Sequence, residues 1–372
     1  MKKGELLIKL STIKNAIGSI LLFVIFVLMT GHSVNTSWIQ SYFPNGTILV
    51  LIASMIVYIF FNQKKRFILN WNFFLPFFLI FIIIFLYANI NGSVEEIEKI
   101  VYIFLSFLLL YRSSLNYYNV IKIGLIICVS SIYATKGYNS YEINSLGIIL
   151  SFGIVGLINF IDFNKKGKKL IIYIILAIIS LLFISQTKMR GAILAITVIY
   201  IYTIFKELNT NKKRIVALII IPFVLLPLWN DFSAFFEEYL FVNKWGGSDI
   251  TAGRLNIWHY IIENAGVWGI GLNYINSYAH AHNTLVHFIG RYGFIILPLF
   301  IFLIYRVFIT ILNNSQKGNI RNSYFRVLIL WLVFSLTETI DFIKAPLYIP
   351  QFMLLLYLVL LSRKEALNEN KE

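Results

Sequence analysis

Three of the five histidines in the chain, His280, His282 and His287, fall within eight residues. Histidine titrates near neutral pH, so each could act as a general base or as a metal ligand. Their spacings of two and five residues differ from the three- or four-residue spacing that brings two helical histidines to one zinc ion. We therefore favour acid–base chemistry, with His282 as the base, His280 as a supporting residue and His287 as an interfacial histidine. Asn283 could orient the imidazole of His282 or cap the next helix.

Two arginines indicate an anion-binding site beside these histidines. Arg190 lies between two apolar runs in "SQTKMRGAILAI", and Arg254 opens "GRLNIWHYIIENAG". The guanidinium group presents a planar fork of donors that suits phosphate oxygens. Arg190 could instead extend to lipid headgroups, but Gly191 after it allows close approach of a ligand or a neighbouring helix. The pair predicts a diphosphate site, with Lys188 and Arg291 as candidate helpers.

The remaining polar residues exclude several kinds of site. The chain has no Walker motif, no GxGxxG after a strand and no DxD-like acidic pair, so we expect no nucleotide cofactor. The acidic residues are scattered, and Glu338 and Asp341 in "SLTETIDFIKAP" are the ones placed near a predicted span end. The single cysteine, Cys128, excludes an intrachain disulfide.

The elements that must position these residues are membrane helices. The chain is 59% hydrophobic and 13% charged, with a mean hydropathy of +0.78, and apolar runs long enough to cross a bilayer recur along it. The composition predicts an all-α polytopic integral membrane protein with about twelve transmembrane helices, the first retained as a helix and not cleaved as a signal peptide. The predicted spans lie near 15–34, 46–61, 72–90, 98–111, 119–133, 145–161, 170–184, 190–205, 215–230, 289–311, 327–340 and 346–361.

The basic charges indicate how these spans are oriented. If the N-terminus is cytoplasmic, the inner segments hold 24 of the 32 Lys and Arg residues. This positive-inside bias accounts for the net charge of +15 without a nucleic-acid partner, and it places both termini in the cytoplasm. Arg190, Arg254 and the histidine cluster then lie on the outer side.

One long outer loop divides the chain into three parts. Residues 1–230 form transmembrane helices 1–9, residues 231–288 an extracytoplasmic catalytic loop, and residues 289–372 helices 10–12 with a cytoplasmic tail. Within the loop, "DFSAFFEEYLF" is typical of an interfacial helix. A second helix places Arg254, Trp258, Ile261 and Ala265 on one face, with Gly266 as its C-terminal stop.

These segments, taken in order, resemble a known family. "SQTKMRGAILAI", "GRLNIWHYIIENAGVWGIGL" and "HAHNTLVHFIGRYGFIILPL" are similar to the O-antigen ligase/polymerase superfamily of bacterial envelope glycosyltransferases. The resemblance covers spans eight to ten and the overall topology. Met189 departs from it, because the family often has Ser or Thr before the arginine.

The resemblance implies an activity and a set of residue roles. Arg190 and Arg254 match arginines that hold the diphosphate of an undecaprenyl-linked glycan, His282 matches a proposed general base, and no metal is implied. The expected activity is a polymerase that joins undecaprenyl-diphosphate-linked oligosaccharide units into an O-antigen or capsular polysaccharide. Its expected location is the bacterial inner membrane, with membrane lipids around it and the site facing the periplasm or cell exterior.

Two alternative activities remain open. An O-antigen ligase of the same family would transfer the glycan to lipid A core or another acceptor. A lipid-linked glycan flippase or transporter would belong to a different class, which usually shows two related halves with ionisable residues at mid-membrane. A chain-length regulator and a flippase are candidate protein partners of a polymerase.

Overall fold

The part of the chain described by the computed structural model consists of twelve ranges. They are residues 3–33, 46–61, 67–91, 93–113, 115–134, 143–164, 169–187, 189–208, 254–271, 281–313, 318–338 and 349–365.

Within these ranges the fold is α-helical apart from one short two-stranded ribbon. The thirteen helices are α1 (Lys3–Ser33), α2 (Gly46–Phe60), α3 (Trp71–Ile90), α4 (Val94–Arg112), α5 (Tyr117–Ala134), α6 (Ile143–Asn164), α7 (Leu170–Gln186), α8 (Arg190–Glu207), α9 (Arg254–Asn264), α10 (Thr284–Tyr292), α11 (Ile296–Asn313), α12 (Asn319–Thr337) and α13 (Ile349–Ser362). The strands β1 (Phe67–Leu69) and β2 (Arg363–Glu365) pair antiparallel.

Four helices, α1, α3, α6 and α11, are each long and apolar enough to cross a membrane. Shorter apolar helices accompany them, among them α2, α5, α7 and α13. Because α3 and α11 also expose many large apolar side chains, the bundle has the surface of a protein that faces lipid. These features describe a polytopic membrane protein.

The predicted spans and the observed helices agree in most places. Each predicted span overlaps a helix except the one at 215–230, which lies outside the described residues. The span predicted at 289–311 is divided, because α10 ends at Tyr292, with Gly293 as its C-cap, and α11 starts at Ile296. Gly293 has a φ of 80°, a left-handed conformation that interrupts the helical hydrogen bonds.

Helix α13 lies at the centre of the bundle. Its residues from Phe352 to Leu361 are almost all buried, and it contacts α1, α3, α4, α5, α6, α11 and α12. A helix that is apolar on every side is expected in such a position. Around it, α5 and α6 cross closely because Gly124 and Gly156 meet: a Cβ on Gly124 would lie 2.8 Å from the Gly156 Cα.

A buried cluster of charges joins α6, α8 and α12. The Arg326 guanidinium on α12 lies 2.5 Å from the Asp162 carboxylate on α6. It also donates to Thr203 on α8 at 3.0 Å and to Asn159 on α6 at 2.9 Å. Tyr173 on α7 donates to the same carboxylate. The sequence predicts Arg326 as an ordinary cytoplasmic positive charge, whereas the structure buries it in this network, hereafter the Arg326 cluster.

Candidate functional site

Two short helices, α9 and α10, position several of the predicted site residues. Helix α9 buries Ile261 and Ala265 against Ala281, Val286 and Ile289, at and beyond the start of α10. The indole N–H of Trp258 donates to the Ala281 carbonyl at 2.5 Å. The predicted helix and its apolar face are therefore confirmed, and this face docks α9 beside His282.

Asn283 is the N-cap of α10. Its side-chain oxygen accepts a hydrogen bond from the Val286 N–H at 3.1 Å, which satisfies a donor in the first turn. Its amide nitrogen donates to the Leu336 carbonyl at 3.3 Å, so the cap also ties α10 to the last turn of α12. Of the two roles predicted for Asn283, capping is confirmed.

His282 has a φ of 47°, in the left-handed region that few residues other than glycine adopt. Such a conformation costs about 1–3 kcal/mol and persists where the surrounding contacts fix it. The Asn283 cap on one side and the Trp258–Ala281 hydrogen bond on the other hold this segment. The local backbone is thus arranged to direct the His282 side chain towards α12.

A single carboxylate on α12 joins the predicted base and one predicted arginine. The Nδ1 atom of His282 lies 2.9 Å from Oε2 of Glu338. The Nη2 atom of Arg254 lies 3.7 Å from Oε1 of the same carboxylate, and Nη1 of Arg254 donates to the Thr337 carbonyl at 3.0 Å. The Thr284 hydroxyl donates to the Glu338 carbonyl at 3.1 Å. These residues come from three separate segments and form the candidate site.

The side chains of Glu338, His282 and Arg254 differ in how far they are exposed. The side chain of Glu338 is 12% exposed, whereas those of His282 and Arg254 are 33% and 31% exposed. The carboxylate is therefore the inner member, and the imidazole and guanidinium groups face outwards. If the imidazole is neutral, Nδ1 is protonated and donates to Glu338, so that Nε2 keeps its lone pair. In that tautomer Nε2 is the ring nitrogen that can accept a proton.

The start of α8 also lies against this site. Met189 is the N-cap residue and Arg190 the first residue of α8. A Cβ placed on Gly191 would lie 2.6 Å from the Thr337 hydroxyl oxygen, so the first turn of α8 and the last turn of α12 touch. The prediction that Gly191 allows a close helix approach is confirmed. The backbone of Arg190 is one residue away from that contact.

The other predicted site residues fall in different places. Arg291 is buried in the last turn of α10, with its guanidinium 5.6 Å from the Tyr292 ring. The rise of 1.5 Å per residue puts it about 10 Å from Thr284 along the α10 axis, so we do not include it in the site. His287 is buried within α10. Lys188, His280 and Asp341 lie outside the described residues.

The sequence indicates Glu338, together with Asp341, as a residue that could line a polar site, but it does not reveal that Glu338 pairs with His282 and Arg254. It is separated from His282 by 56 positions, and its one visible signal is an acidic side chain near the end of a predicted span. Within the described ranges, no three His, Cys, Asp or Glu side chains are grouped closely enough to bind a metal ion. In comparisons with known proteins, the chain matches no family model and no curated sequence.

Proposed function

We propose that this protein is a glycosyltransferase that uses a lipid-diphosphate-linked glycan as donor, with His282 as general base. The observation that carries the proposal is the position of Glu338, whose two carboxylate oxygens face His282 and Arg254. A carboxylate behind an imidazole fixes its tautomer and stabilises the imidazolium formed when it takes a proton. A guanidinium beside that pair provides donors for the phosphate oxygens of a substrate.

The proposed reaction is a substitution at the anomeric carbon of the donor glycan. A hydroxyl group of the acceptor glycan attacks the anomeric carbon of the donor, and the bond from that carbon to the phosphate oxygen breaks. The lipid diphosphate leaves with the bonding electrons, and the hydroxyl proton passes to Nε2 of His282. The developing negative charge on the leaving oxygen is what a neighbouring guanidinium stabilises.

The net charge of the Arg254–Glu338 pair explains why binding a diphosphate would need a second arginine. Arg254 and Glu338 together are close to neutral, so that pair alone attracts a diphosphate weakly. We assign the additional positive charge to Arg190, because α8 begins against the same turn of α12. Arg254 remains partly exposed and has further N–H groups beyond the one it donates to Thr337.

Among the possible glycosyltransferases, we favour the polymerase. It would join undecaprenyl-diphosphate-linked repeat units at the outer face of the bacterial cytoplasmic membrane, with twelve spans and both termini in the cytoplasm. The support is the order of the three sequence segments, the positive-inside bias, the meeting of His282 and Arg254 at Glu338, and the contact of the α8 start with the neighbouring Thr337. Neither a metal ion nor another cofactor takes part in the proposed step.

The test uses purified protein in lipid nanodiscs with a defined undecaprenyl-diphosphate oligosaccharide, scored by gel for a polymer ladder. We expect His282→Ala to lower the rate by a factor of about 10²–10⁴, the usual contribution of a general base. The chain offers a matched control in His259, which lies 3.0 Å from Glu263 in an exposed pair of the same chemistry on α9. His259→Ala should retain the wild-type rate.

The two variants together decide the proposal. Full activity in His282→Ala would exclude this residue as the base. Equal losses in both variants would indicate a general requirement for α9 and α10 instead of catalysis by His282. Transfer of a single glycan to an added lipid A core acceptor, without a ladder, would identify the ligase in place of the polymerase.

A further inference from the structure

The turn that follows α9, residues 266–271, presents two large apolar side chains to the surroundings. Val267 is 59% exposed and Trp268 is 66% exposed. Transfer of such a pair from water into an apolar environment is favourable. The exposed pair would therefore be stabilised by contact with an apolar surface.

Hydrogen bonds fix this turn to the junction between α10 and α11. The N–H groups of Phe294 and Ile295 donate to the carbonyls of Gly266 and Val267, at 3.1 and 3.3 Å. On the other side of the turn, the Ile270 N–H donates to the Gly290 carbonyl at 2.8 Å. The turn is therefore held by backbone contacts and cannot move independently of the two helices.

Two glycines make this close contact possible. A Cβ on Gly293 would lie 2.0 Å from the Val267 carbonyl oxygen, and one on Gly269 would lie 2.7 Å from the Gly293 nitrogen. Both glycines also have a positive φ, which other residues adopt only with strain. The sequence thus specifies that Val267 and Trp268 are held at this junction.

The junction marks the depth at which a membrane helix begins. Ile296 is the first residue of α11 and of the apolar segment Ile296–Asn313, which is long enough to cross a bilayer. Val267 accepts its hydrogen bond from the residue directly before Ile296. Phe294 at the junction and Ile301 farther along α11 are also exposed, so large apolar side chains are exposed along α11 as well as at the turn.

We infer that the 266–271 turn is a membrane anchor, with Trp268 and Val267 inserted at the boundary between the headgroups and acyl chains of the bilayer. Tryptophan is enriched at this depth because its ring is apolar and its N–H can still meet a polar group. The partner is the lipid surface that α11 enters, and not a second protein. The inference does not depend on the proposed chemistry at His282.

Site-directed spin labelling in vesicles of phosphatidylethanolamine and phosphatidylglycerol tests the anchor. The native Cys128 is first replaced by alanine, and single cysteines are then introduced by Val267→Cys or Trp268→Cys. The matched controls are Glu263→Cys and Asn256→Cys, at exposed positions on α9, and Ile301→Cys serves as the lipid-facing reference. Each labelled protein is checked for folding by size-exclusion chromatography, and Val267→Cys suffices if the tryptophan variant aggregates.

We expect labels at 267 and 268 to collide several-fold more often with oxygen, which concentrates in lipid, than with a water-soluble nickel chelate. The label at 301 should show the same preference, and labels at 256 and 263 the reverse. Nickel accessibility at 267 equal to that at 263 would overturn the anchor. Protection from both reagents would also overturn it, because the turn would then be packed against protein.

Discussion

Removing the Asp162 carboxylate tests how the helices that carry the site are held together. Arg326 is 1% exposed and Asp162 is 3% exposed, with 2.5 Å between the guanidinium and the carboxylate. Asp162→Asn keeps the shape of the side chain and one oxygen for the hydrogen bond from Tyr173. It removes only the negative charge, so the Arg326 charge is left buried with neutral partners. Lys169, whose Nζ lies 3.4 Å from the same carboxylate, loses its ionic partner as well.

The size of the loss follows from the burial of the pair. Removing one partner of a buried ion pair costs about 3–5 kcal/mol, because the other charge stays in a medium of low polarity. We expect a value near the lower limit, about 3 kcal/mol, since Thr203 and Asn159 still accept hydrogen bonds from the guanidinium. The double variant Asp162→Asn/Arg326→Gln removes the Arg326–Asp162 pair altogether and leaves only Lys169 without its carboxylate. Its loss of unfolding free energy should be smaller than the sum of the two single losses by about 2–3 kcal/mol.

The measurement is unfolding of the purified protein in mixed micelles as SDS is increased, followed by tryptophan fluorescence. Lys206→Gln is the control, because it removes an exposed positive charge from α8 and should change the free energy of unfolding by less than about 0.5 kcal/mol. Two results would refute the reasoning. One is a loss for Asp162→Asn no larger than that of the control, and the other is strict additivity in the double variant.

Three further changes test the site and the framework. Glu338→Gln keeps a hydrogen-bond acceptor for His282 but removes the charge that stabilises its imidazolium form, so kcat in the polymerisation assay should fall by a factor of about 10²–10⁴ with little change in KM. Gly191→Ala forces a methyl group to 2.6 Å from the Thr337 hydroxyl, and its unfolding free energy should fall by about 1–3 kcal/mol. Arg363→Gln removes a guanidinium that donates to the Leu110 carbonyl in the last turn of α4 and to the Leu115 carbonyl after it. The free energy of unfolding in the same SDS titration should fall by about 1.5–3 kcal/mol.

Each of these changes has a control of its own. Glu263→Gln alters an exposed glutamate that also pairs with a histidine, and it should leave kcat unchanged. Adding Thr337→Ala to Gly191→Ala opens the contact and should restore stability; no recovery would mean that α8 and α12 do not meet there. Burial lowers the pKa of Arg363 to about 10, which leaves it protonated at neutral pH. Arg363→Lys should therefore recover part of the loss, and full recovery would show that the planar fork is not needed.

The sequence predicts the helices well because hydropathy is a local property, summed over neighbouring residues. The α9 face and the Asn283 cap are predicted for the same reason, since each depends on spacings of three or four residues. The contacts of Glu338 and Arg326, in contrast, do not follow from local spacing. The partners named above lie 54 or more positions away, and nothing in the local pattern separates Glu338 from Asp341 or Arg326 from the other inner arginines. Only the packing of α6, α8, α10 and α12 selects them.

The division of the tenth predicted span has a similar explanation. Arg291 and Arg306 are the charged residues in the mainly apolar segment 289–311, so hydropathy alone predicts one helix. The break depends on the conformation of Gly293 and on the carbonyl of Val267 that approaches it. A glycine inside an apolar run is compatible with a helix, a bend or a close contact, and the sequence does not distinguish among them.

The β1–β2 ribbon has a consequence for the order in which the molecule is made. It pairs Phe67 with Glu365 and Leu69 with Arg363, residues almost 300 positions apart. On the ribosome, the β1 edge and the Leu110 and Leu115 carbonyl groups must wait for these partners until residues 363–365 have been synthesised. A nascent protein that stalls before residue 363 would therefore expose an open strand edge, which is a template for pairing with another chain. Closure of the ribbon would thus protect this edge only in chains that have been extended past residue 365.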